Sequence, residues 1–166
     1  MTKYFFLDAS ALGKRYIIEN GTELINYLFN TVSKKRMIIL LITLGEVISI
    51  LVRRKNSKQI LVKYYRQAMN TFRYEIAEDS DIVFQSISDN LVRTSLLLIE
   101  QYSINATDAI ILRCSLNIAT ILRARGEDLV LVTTDVRLSN AAKLEGLTVW
   151  NPENDDQSSL DMLISS

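Results

Sequence analysis

Runs in which nearly every residue is apolar recur along the chain, and stretches with helical spacing lie between them. Tyr4-Phe5-Phe6-Leu7, Met37 to Ile42 and Leu129 to Thr134 show no clean alternation of polar positions. That is the pattern of strands buried on both faces. Leu147 to Trp150 predicts a last strand, and Tyr74 to Ala77 a short one. The helical stretches are punctuated by caps and breakers. Ala9 to Tyr16 predicts a short helix or helical loop. Thr22 can cap Glu23 to Val32 after the break at Gly21, and Thr43 can cap a helix carrying Leu44, Val47, Ile48 and Leu51. Gln59 to Phe72 reads as a basic helix. Asp81 to Asn90 and Leu91 to Gln101 read as helical, as two elements or one with a kink. Asn105 or Thr107 can cap a long helix through Ala124 that stops at Gly126, and Val136 to Glu145 ends at Gly146. Continuous apolar strands alternating with helices predict an α/β fold with a central parallel sheet covered on both sides.

Pro152, the sole proline, closes this pattern. The expectation is one domain over residues 1–152 and an acidic, loosely ordered tail over 153–166, in which Leu160, Met162, Leu163 and Ile164 are apolar enough to dock.

Composition changes this picture little. A chain of 166 residues is large enough to bury a core and short enough to be one domain. Its net charge of +0 gives no overall argument for nucleic-acid binding. The single cysteine, Cys114, excludes an internal disulfide and a cysteine-clustered zinc site, and reads as a small buried hydrophobe. Residues 37–51 fall short of the roughly 20 needed to span a bilayer and contain Glu46, so no membrane association is expected. Without a signal peptide, the expected compartment is the cytoplasm.

Four acids change the picture more. Asp8 and Asp135 each follow an apolar strand, and Glu46 and Asp108 each stand near the start of an apolar helix. Ligands of parallel sheets bind beyond the carboxyl ends of the strands, so Asp8 and Asp135 are expected at one edge. Carboxylates among apolar neighbours call for a balancing charge, and a divalent cation is the simplest. Magnesium and manganese prefer such oxygen ligands. The chain has no histidine, so any hydrolysis would rest on metal-activated water. Each acid also has an ordinary reading. Asp8 and Asp135 can cap turns or helices, Glu46 can complete a capping box with Thr43, and Asp108 can complement its helix dipole. Ser10 and Thr133, each two residues from an acid, can hold a ligand carboxylate or a metal-bound water in place, or simply bond local backbone.

These residues resemble a family. Leu7-Asp8-Ala9-Ser10-Ala11-Leu12 is similar to the opening motif of PIN-domain nucleases. Leu44-Gly45-Glu46-Val47 resembles their second acidic motif, Thr107-Asp108-Ala109-Ile110-Ile111-Leu112 their third, and Thr133-Thr134-Asp135 their fourth. The resemblance runs from Tyr4 to about Pro152. It implies a three-layer α/β/α PIN-like domain in which Asp8, Glu46, Asp108 and Asp135 bind Mg2+ or Mn2+ and carry endonucleolytic RNA cleavage. Its nearest flavour is the toxin of a type II toxin–antitoxin pair, the virulence-associated protein C kind. Such toxins act as homodimers and are held inactive by a small antitoxin. The stretch from Lys55 to Tyr74 and the tail are longer than in the compact toxins, which leaves room for a PIN protein that is not a toxin.

Between Val47 and Tyr74 there is no acid, and Arg53, Arg54, Lys55, Lys58, Lys63, Arg66 and Arg73 are interleaved with Tyr64, Tyr65 and Tyr74. Phosphate contacts with aromatic stacking are what single-stranded RNA binding uses. Arg53, Arg54, Lys55 and Lys58, just beyond Glu46, are the candidate RNA contacts, against the plainer reading of a solvated helix face. Lys34-Lys35-Arg36 reads as a loop. Three other readings compete with the nuclease. One is a catalytically silent PIN domain acting through partners. Another is a von Willebrand type A binding module, where Leu12 occupies the place of a required serine. The third is a haloacid-dehalogenase-type phosphatase, where Ser10 replaces a required Asp.

Overall fold

The computed structural model describes residues 1–78 and 81–165. Five parallel strands form one sheet: β1 (Lys3–Leu7), β2 (Met37–Leu40), β3 (Val83–Gln85), β4 (Asp128–Val132) and β5 (Thr148–Trp150). Their order is β3-β2-β1-β4-β5. The chain steps outward from β1 to β2 and β3, then returns to the other side of β1 for β4 and β5. The direction of winding therefore switches between β1 and β4, which pair along their full length from Lys3 with Asp128 to Leu7 with Val132.

The continuous apolar runs are explained by two cores. Phe5, Leu7, Met37, Ile39, Val130 and Val132 point to one face of the sheet. Phe6, Ile38, Leu40, Leu129 and Leu131 point to the other. The first face is covered by α2 (Thr22–Thr31), α3 (Leu41–Asn56) and α4 (Val62–Phe72). The second is covered by α5 (Asp89–Tyr102), α6 (Ala106–Arg123) and α7 (Val136–Leu144). The result is the expected three-layer α/β/α arrangement. A one-turn helix α1 (Ala9–Leu12) and a 3₁₀ turn over Gly13–Arg15 lead out of β1. Among the described residues no helix is long and apolar enough to cross a membrane. Residues 37–51 are strand β2 running directly into α3.

Several local expectations are corrected. Tyr74 to Ala77 lies within a π-helical extension of α4, Arg73–Glu78, and not in a strand. Ala68, Met69, Phe72 and Ile76 are buried at helical spacing, so packing continues the helix. The segment expected to be helical from Asp81 holds β3, and α5 begins only at Asp89, capped by Ser88. Tertiary pairing with β2 (Ile38 with Val83, Leu40 with Gln85) decides this short edge strand. Gly21, at φ 87°, takes the N-cap of α2 in place of Thr22. The capping box at Thr43 does not form, because α3 starts at Leu41 with Leu40 at the N-cap. The segment expected to be a loose tail is a helix, α8 (Gln157–Ser165), with Leu160 fully buried in the first core. Leu163 and Ile164 pack against that core, and Tyr27 Oη donates to Asp161 Oδ1 at 2.8 Å.

Candidate active site

Asp8 sits where β1 ends, at the switch in strand order. Its backbone N–H continues the ladder to Val132 O at 3.0 Å. The residue is 5% exposed, and its carboxylate caps α1. Oδ2 accepts from Ser10 N at 3.2 Å, Ser10 Oγ at 2.6 Å and Thr133 Oγ1 at 3.0 Å. Both hydroxyl protons are thus used on Asp8, which leaves the hydroxyl oxygens free to accept. Ser10 Oγ accepts from Thr134 N at 3.0 Å, and Thr133 Oγ1 accepts from Asp135 N at 3.1 Å. Ser10 and Thr133, expected as supporting hydroxyls, bond both Asp8 and the backbone and stitch the end of β1 to the end of β4. Burial pushes the Asp8 carboxyl above its ordinary pKa, and these donors oppose the rise.

Asp135 caps α7, accepting at Oδ1 from Arg137 N at 2.8 Å and Leu138 N at 2.9 Å. Its ordinary reading as a cap is therefore realised, and its charge still reaches Asp108. Asp108 lies in the first turn of α6, where its N–H donates to the capping Asn105 Oδ1 at 2.8 Å. The helix precedes β4, so it runs against the strands and begins at the sheet edge where Asp8 stands. Burial, followed by the charges of Asp135 and Asp8, pushes Asp108 up to about 6, with Arg137 opposing. Glu46, freed from any cap, lies in the second turn of α3. Burial, then Asp8 and Asp108, push it up to about 7, with Arg53 opposing.

The four acids therefore act on one another as one electrostatic cluster. Two of their oxygens, Glu46 Oε2 and Asp108 Oδ2, are buried with no hydrogen-bond partner among protein groups. Among the described residues, no three acidic, histidine or cysteine side chains are already arranged as a cage for an ion. Magnesium needs only one or two protein carboxylates because it keeps its waters. The donor set, all oxygen with two buried unpartnered atoms, fits a hard divalent cation.

Beside the acids a cleft of about 690 Å³ is lined by Ser10, Lys14, Glu19, Arg53, Arg54 and Glu153, among others. Of the four basic candidates, Arg53 and Arg54 line this cleft, and Lys55 and Lys58 do not. Arg53 is exposed. Arg54 donates to Glu19 Oε2 at 2.7 Å and to Gln59 Oε1 at 2.8 Å. The Lys55 ammonium lies 4.8 Å from the Tyr65 ring centroid. Lys58 is exposed in a left-handed turn, φ 58°. Lys34-Lys35-Arg36 forms a 3₁₀ turn, as the loop reading anticipates. The cleft residues Lys14, Glu19 and Glu153 escape sequence reading. Lys14 is 2% exposed and bonds both Glu19 and Glu153. Nothing in the local pattern signals that a lysine after Gly13 meets a glutamate beyond Pro152.

Comparison with known proteins agrees with the fold. The PIN domain family pattern matches residues 23–153, a span that holds Glu46, Asp108 and Asp135 and starts beyond Asp8. The structure of FitAB bound to an IR36 DNA fragment is similar at TM-score 0.64 and 12% identity, over 92% of this chain and 98% of that one. VapC20 of Mycobacterium tuberculosis, described as a sarcin-ricin-loop-cleaving toxin, is similar at TM-score 0.57 and 14% identity, over 82% and 94%. FitAcB from Neisseria gonorrhoeae is similar at TM-score 0.57 and 16% identity, over 91% and 99%. No curated protein matches the sequence.

Proposed function

This chain belongs to the PIN-domain family, and from that premise we propose that it is a divalent-metal-dependent endoribonuclease, the toxin of a type II toxin–antitoxin pair. The observation that carries the reading is the pair of buried, unpartnered oxygens, Glu46 Oε2 and Asp108 Oδ2, in a cluster of acids at the switch between β1 and β4. Buried charge left without a partner is costly, so its retention has a use. Asp8, Glu46, Asp108 and Asp135 are the residues that would hold Mg2+ or Mn2+. Such an ion, when bound, neutralises charge on the phosphate and lowers the pKa of water.

The chain's own groups do the rest. Ser10 and Thr133 fix the Asp8 carboxylate before substrate arrives, and such outer groups orient ligands. The cap to α7 holds Asp135 on the other strand end. The chain has no histidine, so no imidazole shuttles protons. VapC20, which shares the fold, is a sarcin-ricin-loop-cleaving toxin, and that favours RNA as the substrate class here. A small antitoxin and a homodimer belong to the same reading. Val92, Leu96 and Leu97 leave exposed apolar surface on α5 that a second copy would cover.

The test is cleavage of structured and single-stranded RNAs by the pure protein with manganese, with magnesium and with chelator, beside Asp108→Asn. Metal-dependent cleavage should fall in the variant by more than the roughly 10–100-fold typical of an outer-shell change. Full activity in Asp108→Asn would overturn the assignment. Absence of both cleavage and any metal effect on melting would favour a silent PIN domain.

A further inference from the structure

The wall of the cleft beside the acids is a chain of paired charges. Glu153 bonds Lys14, Lys14 Nζ donates to Glu19 Oε1 at 2.9 Å, and Glu19 Oε2 accepts from Arg54 at 2.7 Å. Arg54 Nη1 in turn donates to Gln59 Oε1 at 2.8 Å. Of the cations in the cleft, Lys14 and Arg54 are thus neutralised in place. Arg53 is not: it makes none of the salt bridges or side-chain hydrogen bonds found among the described residues. Its guanidinium, whose charge also bears on Glu46, is the cleft cation that no side chain bonds in place.

Arg53 stands seven residues after Glu46 on α3, two helical turns along one face. That is about 10 Å of rise along the helix, which suits the phosphate next to one held at the acids. The other basic candidates are placed less well. Lys55 is turned to Tyr65 on α4, and Lys58 lies beyond the end of α3. We propose that Arg53 binds a phosphate flanking the scissile one, so that this cleft is the track for the RNA strand on one side of the cleavage point. The inference rests on the nuclease reading above. Its chemistry is the planar guanidinium fork, which matches phosphate oxygens in pairs.

The experiment uses the full chain carrying Asp108→Asn, which separates binding from cleavage. A short fluorescein-labelled single-stranded RNA of mixed sequence is titrated by anisotropy across a range of salt. Adding Arg53→Gln should weaken binding about tenfold. It should also reduce the slope of log affinity against log salt by about 0.7, the value for one phosphate contact on a single strand. Arg53→Lys should keep the slope and lose only part of the affinity, since it keeps the charge without the fork. Because Arg53 is exposed, melting temperature should not move. Equal affinity and slope in Arg53→Gln would overturn the role of Arg53 and leave the nuclease reading standing. No RNA binding by the Asp108→Asn parent at low salt would overturn both.

Discussion

Thr133 is fully buried and donates its hydroxyl proton to Asp8 while accepting from Asp135 N. Thr133→Val keeps the shape and removes both functions. A buried acceptor stripped of a donor costs about 1–3 kcal/mol. Denaturant unfolding should therefore show a loss in that range, and cleavage should fall roughly 10–100-fold through misplacement of Asp8. Unchanged activity would mean that Ser10 alone orients the carboxylate. Asp128, at the other edge of the sheet, shows the opposite use of an acid. Burial pushes its carboxyl up, but Lys3 at 2.9 Å and Arg123 at 2.7 Å together hold it below the ordinary value. A carboxyl held low in the fold stabilises above its unfolded pKa, and that stability is lost as pH falls through the folded value. Asp128→Asn should be less stable than the parent by about 1–3 kcal/mol at neutral pH, because Lys3 loses its ion-pair partner at a site that solvent partly screens. The gap should shrink once pH drops below about 4. A gap that stays constant into acid would contradict the ion-pair account.

At the scale of elements, α8 is the clearest departure from the sequence pattern. Its acidic, polar composition reads as a tail, yet Leu160 enters the core and Trp150 Nε1 donates to Ser159 Oγ at 3.2 Å. Glu153, just before α8, reaches Lys14 in the cleft wall. Leu160→Ala should cost about 2–5 kcal/mol by leaving a cavity against the first core. The measurement is the denaturant midpoint, and a change under 0.5 kcal/mol, the scale of surface substitutions, would mean the helix contributes little to the fold. The other departures have a common cause. β3 exists because β2 offers it a hydrogen-bonding edge, and α3 starts early because Leu40 ends its strand there.

For the whole molecule, the sheet order makes β1 and β4 neighbours and so joins acids from opposite ends of the chain. Burial and mutual repulsion push Glu46 up to about 7 and Asp108 up to about 6. A carboxyl held high in the fold is neutral at low pH, and its ionisation costs stability as pH rises from its unfolded value to its folded one. With chelator present, the protein should therefore melt at a lower temperature at pH 8 than at pH 5. Manganese or magnesium should restore the loss at pH 8, by about 2.7 kcal/mol at a hundredfold excess over Kd. Scanning calorimetry with and without metal at both pH values checks this, and a metal effect equal at pH 5 and pH 8 would sink it.

The sequence by itself determined the layers and the acids. Continuous apolar runs at β1, β2 and β4 require burial on both sides, and Asp8, Glu46, Asp108 and Asp135 could be picked out because charge is conspicuous beside such runs. Those are local signals, carried by neighbours in the chain. Tertiary structure alone decided what depends on distant neighbours: the pairing of β3, the docking of α8, the bond of Lys14 to Glu153, and which arginine of the cleft is tied to a carboxylate. An edge strand or a docked helix takes its stability from a partner surface, and a charge is neutralised by whatever lies nearest in space. Neither is written in the order of residues.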